Sequence, residues 1–152
     1  MNLIKATVGL ILIFALVGCN NDSLISELET KLRGTSFNLK EYSSIIIMPN
    51  AGCATCIDNV EDFLLSSENQ TEKTFIIFTA FSSKKNIAIR FGIEYLERPN
   101  VYLDGAHLFN TNNLTSLYPL FVYLKNDQVS NYEYASPDNA KALDNYIDFL
   151  TN

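Results

Sequence analysis

The chain lacks tryptophan and has a single histidine and only three cysteines among its 152 residues. Three cysteines are too few for a scaffold stapled by disulfides, and the lack of a second C-x-x-C pair excludes a zinc ribbon. No run of lysine or arginine forms a basic stripe, and the formal net charge of −6 disfavours nucleic-acid binding. With 47% hydrophobic and 18% charged residues, the composition indicates one compact domain rather than disorder.

The first eighteen residues, MNLIKATVGLILIFALVG, fall short of the roughly 20 apolar residues that a membrane span needs. A short positive region at Lys5 followed by an apolar region at 6–17 is typical of a secretory signal. The junction LVGC at 16–19 resembles the bacterial lipobox, which implies cleavage before Cys19 and a diacylglycerol on its sulfur. A plain signal anchor is the alternative. The sequence therefore predicts a signal peptide at 1–18 and a lipid anchor at Cys19.

The rest of the chain is predicted to divide into a lipid-anchored tether with a helix, 19–40, and a compact domain, 41–152. Apolar residues at helical spacing between 24 and 32 predict that helix, and we expect it to pack on the edge of the domain. A lipid anchor would place the domain at an extracytoplasmic membrane surface of the cell envelope, where dithiols need a redox partner.

Strand-like and helix-like segments alternate along the domain. Apolar, β-branched or aromatic runs predict strands at 43–48, 74–81, 101–103, 120–124 and 129–134. Helical patterns begin at Cys53, after Ser82-Ser83 and at Ser136-Pro137-Asp138. This order predicts an α/β fold whose mainly parallel central sheet is flanked by helices and completed by an antiparallel C-terminal hairpin.

Two of the cysteines, Cys53 and Cys56, lie in the stretch MPNAGCATC, directly after the first predicted strand. The first cysteine is expected at a helix N-terminus, where unpaired N–H groups and the helix dipole stabilise a thiolate. The second lies one turn on, and acidic residues such as Glu61 are expected to point outward. The pattern suits a nucleophilic Cys53 and a resolving Cys56. The spacing alone leaves open a redox dithiol, part of a metal site, or a structural disulfide.

Two separated stretches make residues 43–150 resemble the thioredoxin-fold thiol-disulfide oxidoreductases. One is SSIIIMPNAGCATCIDNVEDFL, and the other is LYPLFVYLKNDQV, which is similar to the family's proline loop, apolar strand and Lys-Asn turn. The resemblance implies a thioredoxin-like three-layer fold with Pro119 as a cis-proline beside the cysteines. It also implies substrate contacts at Tyr118, Pro119 and Gly52. The long segment before Pro119 and the lipobox are similar to the membrane-anchored TlpA-type branch.

Three features depart from the family pattern. Gly52 occupies the position where family members usually have tryptophan. The intervening pair Ala54-Thr55 is neither the Gly-Pro of reductants nor the Pro-His of oxidants, and the strand SSIIIM contains no equivalent of the buried acid that family reductases use. These departures leave the direction of electron transfer open.

The sequence thus predicts thiol-disulfide exchange with protein thiols and disulfides, supported by an upstream redox partner and requiring no cofactor. One alternative is a catalytically idle, thioredoxin-like interaction lipoprotein in which the cysteines form a stable disulfide.

Two further alternatives give the cysteines other chemistry. A peroxiredoxin-like peroxidase would align Pro49 and Cys56 with P-x-x-x-T-x-x-C, with Arg90 or Arg98 as thiolate partner, but Cys53 then replaces the threonine. A copper(I)-binding module would add His107 to the two thiolates.

Overall fold

The computed structural model describes residues 23–111, 114 and 117–152. The predicted signal peptide at 1–18 and the predicted lipidation residue Cys19 lie outside the described residues. Within the part that is described, no helix has both the length and the apolar character needed to cross a bilayer.

The described residues form one five-stranded mixed sheet in the order β3-β2-β1-β4-β5. Strands β1, β2 and β3 are parallel, whereas β4 and β5 run antiparallel as a hairpin beside β1. The strand bounds are Ser44–Pro49 for β1, Thr74–Thr79 for β2, Val101–Leu103 for β3, Leu120–Lys125 for β4 and Gln128–Tyr134 for β5. The predicted parallel sheet with an antiparallel hairpin at one edge is confirmed.

Helices cover both faces of the sheet, which gives the thioredoxin-like three-layer arrangement. In the described residues these are α1 Ser23–Arg33, α2 Ala54–Ser66, α3 Lys84–Phe91, the short α4 Ile93–Leu96 and α5 Ala142–Thr151. Every residue of β1 and of β2 is buried, as expected for central strands covered on both sides. The helices α2 to α5 share one hydrophobic cluster with the sheet, and α1 joins a second cluster on the opposite face.

The alternation of side chains along β1 separates the two clusters. Ile46 lies in the cluster with α2 to α5, whereas Ile45 and Ile47 lie in the other. Leu28 and Leu32 of α1 are buried in this second cluster. The N-terminal helix therefore packs on the sheet, in agreement with the packing role expected from its apolar spacing.

Tyr146 ties α5 to the centre of the sheet. Its ring is fully buried and stacks on Phe121 with ring centroids 4.5 Å apart. Its hydroxyl is hydrogen-bonded to the hydroxyls of Ser44, at 2.6 Å, and Thr74, at 2.8 Å. Burial raises the pKa of this phenol to about 12, so it stays neutral in the core. The helix is thereby fixed against β1 and β2 by a satisfied polar contact.

The sequence predicts the hairpin turn near the C-terminus correctly but not the start of the last helix. Asn126 and Asp127 have φ of 53° and 64°, as a two-residue type I′ hairpin turn requires, so this turn is confirmed. The predicted helix start at 136–138 is wrong: Pro137–Asn139 forms a single 3₁₀ turn, and α5 begins only at Ala142. The Ser136 side chain caps no N–H, and its carbonyl accepts from Asn139 instead.

Candidate functional site

Cys53 and Cys56 form a disulfide at the N-terminal end of α2, with their Cα atoms 5.3 Å apart. Cys53 is the N-cap residue of the helix, and its Sγ accepts a hydrogen bond from the Cys56 amide at 3.4 Å. Its carbonyl accepts from the amide of Ile57 at 3.0 Å, which closes the first turn. Both cysteines are half-buried. The predicted strand-to-helix junction is thus in place, with the disulfide at its tip.

The electrostatics of the helix end favour an anionic sulfur at Cys53. The free N–H groups of a first turn carry a partial positive charge, and no acidic side chain lies in the first turn of α2 to offset it. The amide of Cys56 already points at Sγ of Cys53. A thiolate formed when the disulfide opens is therefore stabilised by the positive end of the helix.

The chain segment that ends in Pro119 runs directly beside Cys53. The amide of Cys53 donates to the carbonyl of Leu117 at 3.0 Å. Gly52 has φ of +142°, and a Cβ placed on it would lie 2.2 Å from that same carbonyl oxygen. The close approach of the two backbones therefore requires glycine at 52, in the position where the family usually has tryptophan.

Of the three residues to which the resemblance assigns substrate contacts, Gly52 takes part in this contact with Leu117. Tyr118 is half-buried and Pro119 is buried, while the side chain of Leu117 is 51% exposed. Gly52 and Cys53 thus both contact Leu117, and Tyr118 and Pro119 follow Leu117 directly in the chain. Sequence reasoning missed Leu117, whose carbonyl makes the contact; its position beside the predicted proline loop is the only signal that points to it.

The cis geometry expected for Pro119 is wrong. The described residues contain no cis peptide bond, so the bond between Tyr118 and Pro119 is trans. The trans form is the more stable one by about 0.5–1 kcal/mol for X–Pro bonds. Proline without an N–H is also well placed just before a strand, and the Pro119 carbonyl accepts from Ala135 to extend the β4–β5 ladder. Cys53 is contacted through the Leu117 carbonyl instead.

A groove of about 420 Å³ opens beside the disulfide. One wall is formed by α2, with Cys53, Cys56 and Val60, and the other by the segment from Ala135 to Leu143 of α5. The 3₁₀ turn at Pro137–Asn139 lies in this second wall, so the late start of α5 shapes the groove. No local pattern in the sequence indicates it, because its two walls are far apart along the chain.

Glu61 does not point outward as the helical pattern predicts. Its side chain is only 11% exposed and forms an ion pair with Arg90, which comes from the last turn of α3. The same guanidinium donates to Oδ1 of Asn50, in the loop that leads to Cys53, at 2.5 Å. Burial raises the pKa of the Glu61 carboxyl above its ordinary value, against the lowering effect of Arg90. The predicted orientation fails because its partner lies on another helix.

The geometry adds no support for a peroxidase or for a copper(I)-binding module. Arg90 and Arg98, the candidate thiolate partners of a peroxidase, each pair with a carboxylate, that of Glu61 and that of Glu68. His107 is exposed, with its ring centroid 6.0 Å from that of Phe81. The part of the chain that is described contains no cluster of three or more His, Cys, Asp or Glu residues suited to a metal ion.

No protein-family model, curated protein or solved structure matches the chain. The case for a function therefore rests on the fold, the disulfide and the groups around it.

Proposed function

We propose that the protein exchanges thiols and disulfides with other proteins through Cys53 and Cys56. The observation that carries the proposal is the half-buried disulfide at the tip of α2, with Cys53 as the N-cap residue. A disulfide with that placement is accessible to an attacking thiolate, and the helix end stabilises the thiolate that leaves. A purely structural bridge needs neither property.

The proposed exchange has two steps. In the reducing direction, the Cys53 thiolate attacks one sulfur of a partner disulfide and expels the other as a thiolate. The Cys56 thiolate then attacks Cys53, which releases the second partner thiolate and leaves the pair oxidised. The partner gains two electrons, and a dithiol partner upstream must return them to the pair. The oxidising direction is the same sequence reversed.

The surroundings of the disulfide suit a protein segment as the partner. Gly52 has no side chain, and Leu117 presents an exposed apolar side chain next to it. Tyr118 lies between Leu117 and the buried Pro119. The groove of about 420 Å³ along α2 offers room for residues that flank a partner cysteine. In this proposal Tyr118, half-buried and next in the chain after Leu117, narrows the choice of partner.

The proposal includes a lipid anchor on Cys19 that holds the domain at an extracytoplasmic membrane surface. Helix α1 begins at Ser23 and packs on the sheet through Leu28 and Leu32. At about 3.3–3.6 Å per residue, the link from Cys19 to Ser23 can span at most about 14 Å. The start of α1 would thus lie close to the membrane, and the domain would act on partners and an upstream dithiol of the same compartment.

Replacing Cys56 with serine tests the exchange directly. The reduced Cys56→Ser variant should attack a peptide disulfide through Cys53 and remain linked to it, because no resolving thiol is left to release the product. Mass spectrometry should find the mixed disulfide on Cys53, and dithiothreitol should reverse it. A tenfold or greater yield over the matched Cys53→Ser variant is expected.

The same pair of variants separates the proposal from the idle alternative. Cys53→Ser retains the thiol of Cys56, so it controls for nonspecific reaction of any exposed cysteine. Equal, low capture by the two variants would favour a stable disulfide with no role in exchange.

A further inference from the structure

Arg90 connects the two segments that flank the cysteine pair. One nitrogen of its guanidinium donates to Glu61 in α2, beyond Cys56, and the other donates to Asn50, ahead of Cys53. Arg90 itself belongs to α3, which packs against the same face of the sheet as α2. We call the group of Asn50, Glu61 and Arg90 the Arg90 clamp.

The clamp is better suited to hold a position than an ordinary surface ion pair. Exposed pairs contribute little because water and salt screen them. Here the Glu61 side chain is 11% exposed and that of Arg90 is 34% exposed, so screening is reduced. The planar guanidinium also fixes the directions of its donors, and one arginine can therefore orient two acceptors at once.

Two backbone contacts hold the rest of the loop before Cys53. The amide of Asn50 donates to Thr79 of β2 at 3.1 Å, and the amide of Cys53 donates to Leu117 at 3.0 Å. The Arg90 clamp adds a side-chain contact that ties this loop to the body of α2. The loop between β1 and Cys53 is thus joined to three separate parts of the fold.

We propose that Arg90 is a positioning residue that keeps Cys53 next to Cys56 when the pair is reduced. In the oxidised protein the disulfide itself fixes Cys53. In the dithiol form Cys53 is held by the loop contacts and by the hydrogen bond from the Ile57 amide to its carbonyl. Any freedom that the loop gains in this form must be lost again when the disulfide closes. Loss of the clamp therefore loosens the dithiol more than the disulfide and shifts the equilibrium towards the dithiol. This proposal rests on the proposed function only in that the pair must open and close.

Asn50→Ala is the most selective test, because it removes the hydrogen bond between Arg90 and the loop and leaves the ion pair between Arg90 and Glu61 intact. A second variant, Arg90→Gln combined with Glu61→Gln, removes the whole clamp without leaving a buried, unpaired carboxylate. Arg98→Gln is the matched control, since it breaks a comparable pair with Glu68 that makes no contact with the loop. Urea unfolding establishes that each variant is folded.

The measured quantity is the equilibrium between dithiol and disulfide in glutathione buffers at neutral pH. Asn50→Ala and the double variant should shift it about tenfold towards the dithiol, which corresponds to about 30 mV in a two-electron couple. Arg98→Gln should change it by less than about twofold, in line with the small effects of surface changes. A shift in the first two variants no larger than that of the control, or one towards the disulfide, would contradict the positioning role of Arg90.

The outcome for the clamp is distinct from the outcome for the proposed function. A wild-type disulfide that resists every glutathione buffer would count against exchange. The same comparison of variants then proceeds in dithiothreitol buffers and still decides whether Arg90 stabilises the disulfide.

Discussion

Replacing Gly52 with alanine is expected to lower the free energy of unfolding by about 3 kcal/mol or more. The φ of +142° is one that side-chain-bearing residues rarely adopt, and such strain costs about 1–3 kcal/mol. The new Cβ would also lie 2.2 Å from the Leu117 carbonyl oxygen and 2.7 Å from two further backbone atoms of Leu117. Backbone atoms cannot rotate away as a side chain can. The loop must therefore separate from Cys53, and the hydrogen bond between Cys53 and Leu117 is lost.

Two other glycines provide matched controls for this change. Gly92 has φ of +84° but open space around it, so Gly92→Ala carries the strain alone, about 1–3 kcal/mol, without the clash. Gly105 has open space and no such φ, and Gly105→Ala should stay within about 0.5 kcal/mol of the wild type. Urea unfolding of the oxidised proteins measures all three. A Gly52→Ala variant as stable as Gly92→Ala would mean that Leu117 does not contact Gly52.

Replacing Asp104 with alanine is expected to cost about 3–4 kcal/mol, although this residue lies outside the site. Its carboxylate is fully buried and accepts from the Thr79 hydroxyl at 2.8 Å and from the amides of Leu108 and Phe109, each at 2.9 Å. Hydrogen bonds to a charged group contribute about 1.5–3 kcal/mol each, and the variant leaves buried donors without an acceptor. The turn after β3 should lose its order, and with it the fully buried position of Phe109.

Thr79→Val is the graded comparison for Asp104→Ala. It removes one of the three donors while keeping the shape of the side chain, so its cost should be about 1–1.5 kcal/mol. Urea unfolding gives both values. A cost of less than about 1 kcal/mol for Asp104→Ala would show that the carboxylate does not organise this turn.

The sequence predicts the elements whose cause is local. The β-branched run of β1 and the apolar run of β2 are unbroken, and both strands are buried throughout. Ser83 caps α3 as expected, with its side chain accepting from the amide of Lys85. Cys53 caps α2 because the strand ends at Pro49 and the helical pattern begins just after Gly52. Each signal lies within a few residues of its result.

The features that the sequence does not predict depend on contacts between distant segments. Glu61 is buried because Arg90, far along the chain, reaches it. Glycine is required at position 52 because the Leu117 backbone approaches it closely. The local sequence shows only that the usual tryptophan is absent there. Asp104 is buried because the Thr79 hydroxyl and two amides of the turn after β3 converge on its carboxylate. Local patterning contains no information on such partners.

The resemblance to thioredoxin-fold proteins is correct for the architecture and less so for its details. The mixed sheet with its C-terminal hairpin and the helices on both faces are as implied, and the segment before Pro119 does lie beside the cysteines. The trans Pro119 and the Leu117 contact differ from the expected proline loop. The thioredoxin-like sheet is therefore compatible with a different backbone segment beside the cysteines. The chemistry of the pair follows from that segment, so it is measured on this protein.

The reduction potential of the Cys53–Cys56 pair tests the central claim most directly. Proteins that exchange disulfides have potentials from about −120 to about −270 mV, whereas structural disulfides of secreted proteins lie below about −300 mV. Equilibration of the wild-type protein with defined dithiol buffers, followed by alkylation and mass spectrometry, gives the value. A dithiol that exchanges with partners should have a potential above about −300 mV. A potential well below that value would identify a structural bond and contradict the proposed exchange.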